Sequence, residues 1–211
     1  MPIAMEGRVG PGIAADGSMQ PPRLSSYLSQ VMSHLGGKYQ ESVLRGNVYS
    51  AATAATGVAP GTAISTTTPY TLYNPKGSGK ALVVLVTSMS YVSGTLGAGT
   101  VHYGVNNNPD AAPATGTAIE SINCLIGAAA GVGKALTTAT VPANPTAVRP
   151  FASLTALLAS TAVQPWLAKD AVDGEFAITP GCSLSFCATA AAGSSPVVIF
   201  GMTWEEVPFS L

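Results

Sequence analysis

The sequence predicts an all-β fold, an antiparallel β-sandwich or barrel behind an N-terminal arm that holds one short amphipathic helix. Three observations point there. After residue 45 the apolar pattern takes a period of two, in short segments broken by Pro, Gly, Asn and Ser. No long helical stripes alternate with those segments, as a parallel α/β sheet would require. Only 9% of the 211 residues are charged and the net charge is −1, yet Leu, Ile, Val and Phe are frequent enough for a packed core rather than a disordered chain.

Residues 1–45 form the arm and 46–211 the β domain. Residues 1–23 are rich in Gly and Pro and show no periodicity, which suits an extended strap. Leu24, Tyr27, Leu28, Val31, Met32 and Leu35 then recur at helical spacing. Pro21 and Pro22 precede this stripe and Gly36-Gly37 can end it. The stripe must bury on its own domain or on a neighbour.

In the β domain the expected strands are Asn47–Ala52, Thr62–Thr67, Lys80–Val92, Thr100–Val105, Ala118–Cys124, Ala135–Val141, Glu175–Thr179, Cys182–Thr189 and Pro196–Val207. Leu82 to Val86 is a continuous apolar run, the mark of a central strand. Cys182, Leu184, Phe186 and Ala188 alternate with Ser183, Ser185, Cys187 and Thr189, which predicts one buried and one solvated face. Val198, Phe200, Met202 and Trp204 share one face of the last strand. The turn pairs Asp173-Gly174 and Pro180-Gly181 suggest a hairpin over Glu175–Thr189. Glu205-Glu206 reads as charge protecting a strand from edge pairing. A short helix is expected at Ala152–Ser160, and surface loops at Asn106–Thr117 and Pro142–Pro150.

Several functions are disfavoured by what the motifs lack. Gly77-Ser78-Gly79-Lys80-Ala81 resembles a phosphate loop, but Asn74 stands where the first Gly belongs, Ala81 replaces Ser or Thr, and a strand follows. Gly133-Lys134-Ala135 fails in the same way. His34 and His102 have no partner placed by sequence, and no G-x-S-x-G elbow accompanies them. Asp170, Asp173 and Glu175 cluster as turn residues do, and Asn106-Asn107-Asn108-Pro109-Asp110 has too little charge for calcium. Cys124, Cys182 and Cys187 are odd in number, lack a CxxC motif and read as free packing residues. The expectation is therefore no enzyme, no cofactor and no metal. The absence of basic excess argues against nucleic acid, and no apolar run reaches membrane-span length. The first ten residues lack the apolar core of a secretory signal.

What the composition favours is assembly. Residues 82–168 hold four charges, Asp110, Glu120, Lys134 and Arg149. Monomers ordinarily keep their surfaces wet with charge. A chain that omits it relies on Ser and Thr or is covered by partners.

The order and style of four segments carry a family likeness: Arg45-Gly46-Asn47-Val48-Tyr49, TLYNPKGSGKALVVL at 71–85, YVSGTLGAGT at 91–100, and DGEFAITPGCSLSFCATAAAGSSPVVIFGMTWEEVP at 173–208. Over residues 45–208 the chain resembles tailed-bacteriophage virion structural proteins of the capsid cement (decoration) or head-fibre type. That resemblance implies a jelly-roll-like β-sandwich, a homotrimer, and a place on the capsid exterior after assembly in the host cytoplasm. The implied partner is the major capsid protein, bound without chemistry to stabilise the head. The stripe Leu24, Tyr27, Leu28, Val31, Met32 and Leu35, together with Trp166 after Pro165, are the candidate partner contacts. The rival class is a carbohydrate-binding or host-adhesion sandwich of a virion fibre or tail, which needs an exposed aromatic row. A major capsid subunit is disfavoured by length and by the lack of a long spine helix.

Overall fold

The computed structural model describes residues 37–107, 112–154 and 167–209. A five-residue helix, α1 (Gln40–Leu44), precedes the strands β1 (Val48–Ala52), β2 (Thr67–Tyr73), β3 (Lys80–Thr95), β4 (Gly99–Asn106), β5 (Thr115–Ile119), β6 (Ile122–Asn123), β7 (Lys134–Thr140), β8 (Thr146–Leu154), β9 (Leu167–Ala171), β10 (Ala177–Ile178), β11 (Ser183–Ala190) and β12 (Ser194–Pro208). All pairings are antiparallel. They sort into two sheets, one in the order β10-β3-β12-β1-β6 with β9 also on β3, the other β5-β7-β2-β11-β4-β8. The compact unit containing these strands begins at Ser42.

Eight strands form a jelly-roll frame: β1, β2, β3, β4, β8, β9, β11 and β12. Numbered one to eight along the chain, they give sheets ordered 1-8-3-6 and 2-7-4-5, two interlocked Greek keys. The remaining strands are additions. β10 pairs two residues of β3. The insertion β5–β7 falls between the fourth and fifth frame strands and extends both sheets at one side, β6 on β1 and β7-β5 on β2.

The two sheets face each other through an aromatic core. β12 supplies Val198, Phe200, Met202 and Trp204, all at most 1% exposed. From the opposite sheet come Tyr70, Leu72, Val101, Tyr103, Leu184 and Phe186, equally buried. Phe186 stacks on Phe200 with ring centres 4.8 Å apart and meets Tyr70 and Tyr103 at 5.8 and 5.7 Å. Trp204 stacks on Tyr49 at 6.2 Å. Each such side chain removes a large apolar area from water, worth about 1.5–3 kcal/mol for a Leu or Phe.

The structure corrects several expected elements. Thr62–Thr67 is not a strand; the strand is β2, because Tyr70 and Leu72 are the residues that reach the core. Pro69 lies within it. The β2–β7 register pairs Thr68 with Ala139 and Tyr70 with Thr137, leaving Pro69 opposite Thr138, whose φ is +51°. The ladder thus breaks where proline has no N–H to give. Ala118–Cys124 divides into β5 and β6, one on each sheet. Thr115–Thr117, expected in a loop, belongs to β5.

Of the loop expected at Pro142–Pro150, residues 142–145 are outside any strand, whereas Thr146–Pro150 and the start of the helix expected at Ala152–Ser160 belong to β8; residues 155–160 lie outside the described residues. Pro150 is accommodated because β8 is an edge strand with two register shifts against β4. β9, absent from the sequence reading, lies on β3. The hairpin expected over Glu175–Thr189 does not form, since β10 pairs β3 and β11 pairs β2 and β4 in the other sheet. Pro180-Gly181 is the crossing between sheets.

β11 is buried on both faces rather than one: Ser183, Ser185 and Cys187 are at most 3% exposed. Ser185 is satisfied there, sharing a 2.8 Å hydrogen bond with Thr71, which shares another with Thr68, whereas the buried Ser183 hydroxyl has no hydrogen-bond partner among the described residues. The helix expected at Leu24–Leu35 lies outside the described residues; α1 was not foreseen.

The turns at one end of the sandwich pack backbone on backbone. Gly94 has φ +84°, and a Cβ there would lie 2.0 Å from the carbonyl oxygen of Ser195, so only glycine fits. At the core, Trp204→Ala should lower unfolding free energy by about 3–5 kcal/mol, measured by urea denaturation. A variant with the parent's midpoint would show that Trp204 does not anchor the core.

Candidate functional site

Among the described residues two charged clusters and one sparsely charged groove are the candidate sites. The first cluster joins the two sheets at the β8–β9 side. Arg149 on β8 places Nη2 at 2.6 Å from Asp170 Oδ2 on β9 and 3.3 Å from Glu175 Oε2. Tyr103 on β4 donates its hydroxyl to the same Asp170 oxygen at 2.8 Å and shares a further hydrogen bond with Thr87. The guanidinium lies 5.0 Å from the Tyr103 ring centre and 5.5 Å from that of Phe176, a cation–π sandwich. Burial holds the Tyr103 hydroxyl well above the usual phenol range. It therefore stays protonated and donates. Asp170 and Glu175 did stand out in the sequence as a cluster. Arg149 did not, because its segment reads as loop. With both carboxylates engaged by one guanidinium, the geometry is that of a clamp across the sandwich.

The second cluster surrounds Glu206. This side is not an edge: β12 lies between β3 and β1, and the Glu206 side chain is 0% exposed. The expectation that Glu205-Glu206 protects an edge is thus corrected for Glu206. Its Oε1 accepts the Gly133 N–H at 2.9 Å, and Trp204 Nε1 lies 3.5 Å away. Its Oε2 lies 3.4 Å from Lys80 Nζ. A buried carboxylate needs such partners. The loop approaches so closely because a Cβ on Gly131 would sit 2.3 Å from Oε1. Lys80, the lysine of the phosphate-loop lookalike, is thereby occupied. The turn before it is pinned by Asn74, whose Nδ2 donates to the carbonyls of Lys80 and Ile178 at 2.7 and 2.8 Å, and whose Oδ1 accepts from Ser78.

The remaining sequence candidates are dispersed. His102 lies 3.1 Å from Thr189 Oγ1 on the neighbouring strand. Asn106 donates to the Ala143 carbonyl, while residues 108–110 fall outside the described residues. Cys124, Cys182 and Cys187 are free thiols, and burial pushes Cys187 up to about 11. Among the described residues no three His, Cys, Asp or Glu side chains gather as metal ligands, and no helix is long and apolar enough to cross a membrane. Leu24, Tyr27, Leu28, Val31, Met32, Leu35, His34 and Trp166 lie outside the described residues.

The groove is at the side opposite the clamp in strand order. A cavity of about 560 Å³ is lined by β1, β5, β6 and β7, with Ala51, Ala52, Thr117, Ala118, Ile119 and Ile122 on its walls. Glu120 is the one charged residue lining it. Beside it, Ile122, Leu125 and Ile126 are 45%, 38% and 82% exposed, and Leu44 is 61% exposed. Leu125 lies next to Gly46, whose Cβ position is 3.9 Å from Leu125 Cδ2. Sequence reading missed this surface because two of its strands, β5 and β6, were assigned to one element, Ala118–Cys124.

No family model, curated protein or solved structure matches the chain. Arg149→Ala removes both ion pairs and the cation held against the Tyr103 and Phe176 rings. The part-buried hydrogen bond to Asp170 is worth about 1.5–3 kcal/mol and the exposed pair with Glu175 at most about 1 kcal/mol, so the variant should unfold at clearly lower urea. An unchanged midpoint would mean that the clamp contributes nothing to closing the sandwich.

Proposed function

We propose that this chain is a non-enzymatic structural protein of a virion, a cement or decoration unit on the outer surface of a tailed-phage head. The observation that carries the reading is the open side of the jelly roll, lined mostly by small and apolar residues, where Ile122 on the groove wall is 45% exposed and Leu125 and Ile126, next along the chain, are 38% and 82% exposed. Contiguous exposed apolar surface marks an interaction site. The jelly roll is a frame used by capsid and lectin domains alike, so fold alone does not choose between them. The charged clusters support the structural reading, since their carboxylates and cations are engaged with one another. The adhesion alternative needs exposed aromatic rings, and every Trp, Tyr and Phe among the described residues is buried or half-buried.

In this reading the major capsid protein is the partner and the stripe Leu24, Tyr27, Leu28, Val31, Met32 and Leu35 is the docking element. A helix presenting such a stripe fits an apolar groove on a neighbour. The test adds full-length chain to phage heads that lack it and measures co-sedimentation. Native chain should bind at a fixed ratio. Leu28→Asp with Val31→Asp should weaken binding at least tenfold, which corresponds to about 1.4 kcal/mol, with melting unchanged. Native chain that never sediments with heads contradicts the reading.

A further inference from the structure

We infer that the open side built by the β5–β7 insertion is the surface on which a second copy of this chain docks. The inference takes up the assembly that the composition favours and gives it a place. The eight frame strands already make the sandwich, and its β8–β9 side is held by Arg149 and Asp170. The insertion adds nothing to that closure. It extends both sheets on the other side and leaves two new edges there, β6 and β5.

Those edges are less guarded than the opposite one by the devices that block strand pairing: neither strand contains charge or proline, and β5 carries a single register shift at its start. β8 shows what a blocked edge looks like here: it carries Arg149 and Pro150 and has two register shifts. β5 reads Thr-Gly-Thr-Ala-Ile. Its one register shift lies between Thr115 and Thr117, and Thr117, Ala118 and Ile119 pair regularly with β7. Their other side faces no strand of this chain among the described residues. β6 covers β1 only at Tyr49 and Ser50, so Ala51 and Ala52 run on beyond it.

The occupant follows from charge. A charged partner strand would bring ions into a groove whose only charged lining residue is Glu120, and desolvating an unpaired charge is costly. A second copy brings β5, which has no charge, with backbone donors and acceptors at strand spacing. It also brings Ile122, Leu125 and Ile126 to bury against their counterparts. Because β5 and Ile122 belong to the groove's own walls, both copies use the same patch: an isologous contact, which closes across a two-fold axis as a dimer.

The test is light scattering on full-length chain at micromolar concentration. The native protein should run at a multiple of 21.1 kDa. Ala118→Lys with Ile126→Glu should shift it to a single 21.1 kDa species with an unchanged melting curve, because both positions are exposed and surface substitutions cost within about 0.5 kcal/mol. Should the pair fail to fold, Ile126→Glu alone carries the test. Val148→Lys, on exposed β8, should leave the oligomer intact. A native monomer, a double variant that keeps the native mass, or equal disruption by Val148→Lys overturns the inference. Head binding is read separately: a monomer that binds heads sinks this proposal alone, whereas an oligomer that never binds them sinks the virion reading and leaves the interface standing.

Discussion

The long antiparallel pairing of β3 with β12 is the constraint from which the other features follow. It runs from Ser194↔Thr95 to Pro208↔Lys80. With a side-chain period of two, a slip by one residue would turn Phe200, Met202 and Trp204 out of the core. The same register sets Glu206 beside Lys80 and brings Trp204 onto Tyr49 through β1. Two register shifts near Val197 and one between Thr203 and Trp204 are the places where this long pair adjusts its twist. At the first of them, Val58 exchanges two backbone hydrogen bonds with Val198, so the loop after β1 is sewn to the same strand.

Around that pair the two sides of the sandwich use opposite chemistry. The β8–β9 side is closed by one arginine shared between two carboxylates and two aromatic rings. The insertion side carries no such network, and its polarity comes from threonines and backbone. Charge in this chain is scarce and is spent where the fold needs it most, at Glu206 and at Asp170. A low overall charge therefore does not mean a uniformly neutral molecule: Glu206 is buried among its partners and Arg149 and Asp170 join the sheets, while other ions, Glu120 and Lys134 among them, stay exposed.

The all-β class, the central apolar run at Leu82–Val86 and the core face of β12 were legible because periodicity of two persists through them. The strands that were missed share a physical cause. β2 and β8 contain Pro69 and Pro150, which sequence rules assign to turns, and each is tolerated only because the ladder breaks or shifts beside it. β5 and β6 read as one alternating segment, yet Glu120-Ser121 carries the chain from one sheet to the other, a tertiary fact without a local signature. The two buried faces of β11 were hidden because Ser185 and Thr71 look like surface residues until their mutual hydrogen bond is known. The Arg149 clamp was half visible, as a cluster of acids whose cation lies more than twenty residues away in the chain. The groove was not visible at all, since it depends on which edges the insertion leaves open.

The account turns on whether that open side is covered when the protein is at its working concentration. Backbone amide hydrogen exchange of the full-length native chain measures this directly. The prediction is that those amides of Thr117–Ile119 and Ala52 that point away from β7 and β12 exchange slowly at high protein concentration and faster on dilution, while the amides of β12 stay protected throughout. Exchange at those amides of Thr117–Ile119 that is fast and independent of concentration would contradict it, for the edge would then be bare in solution.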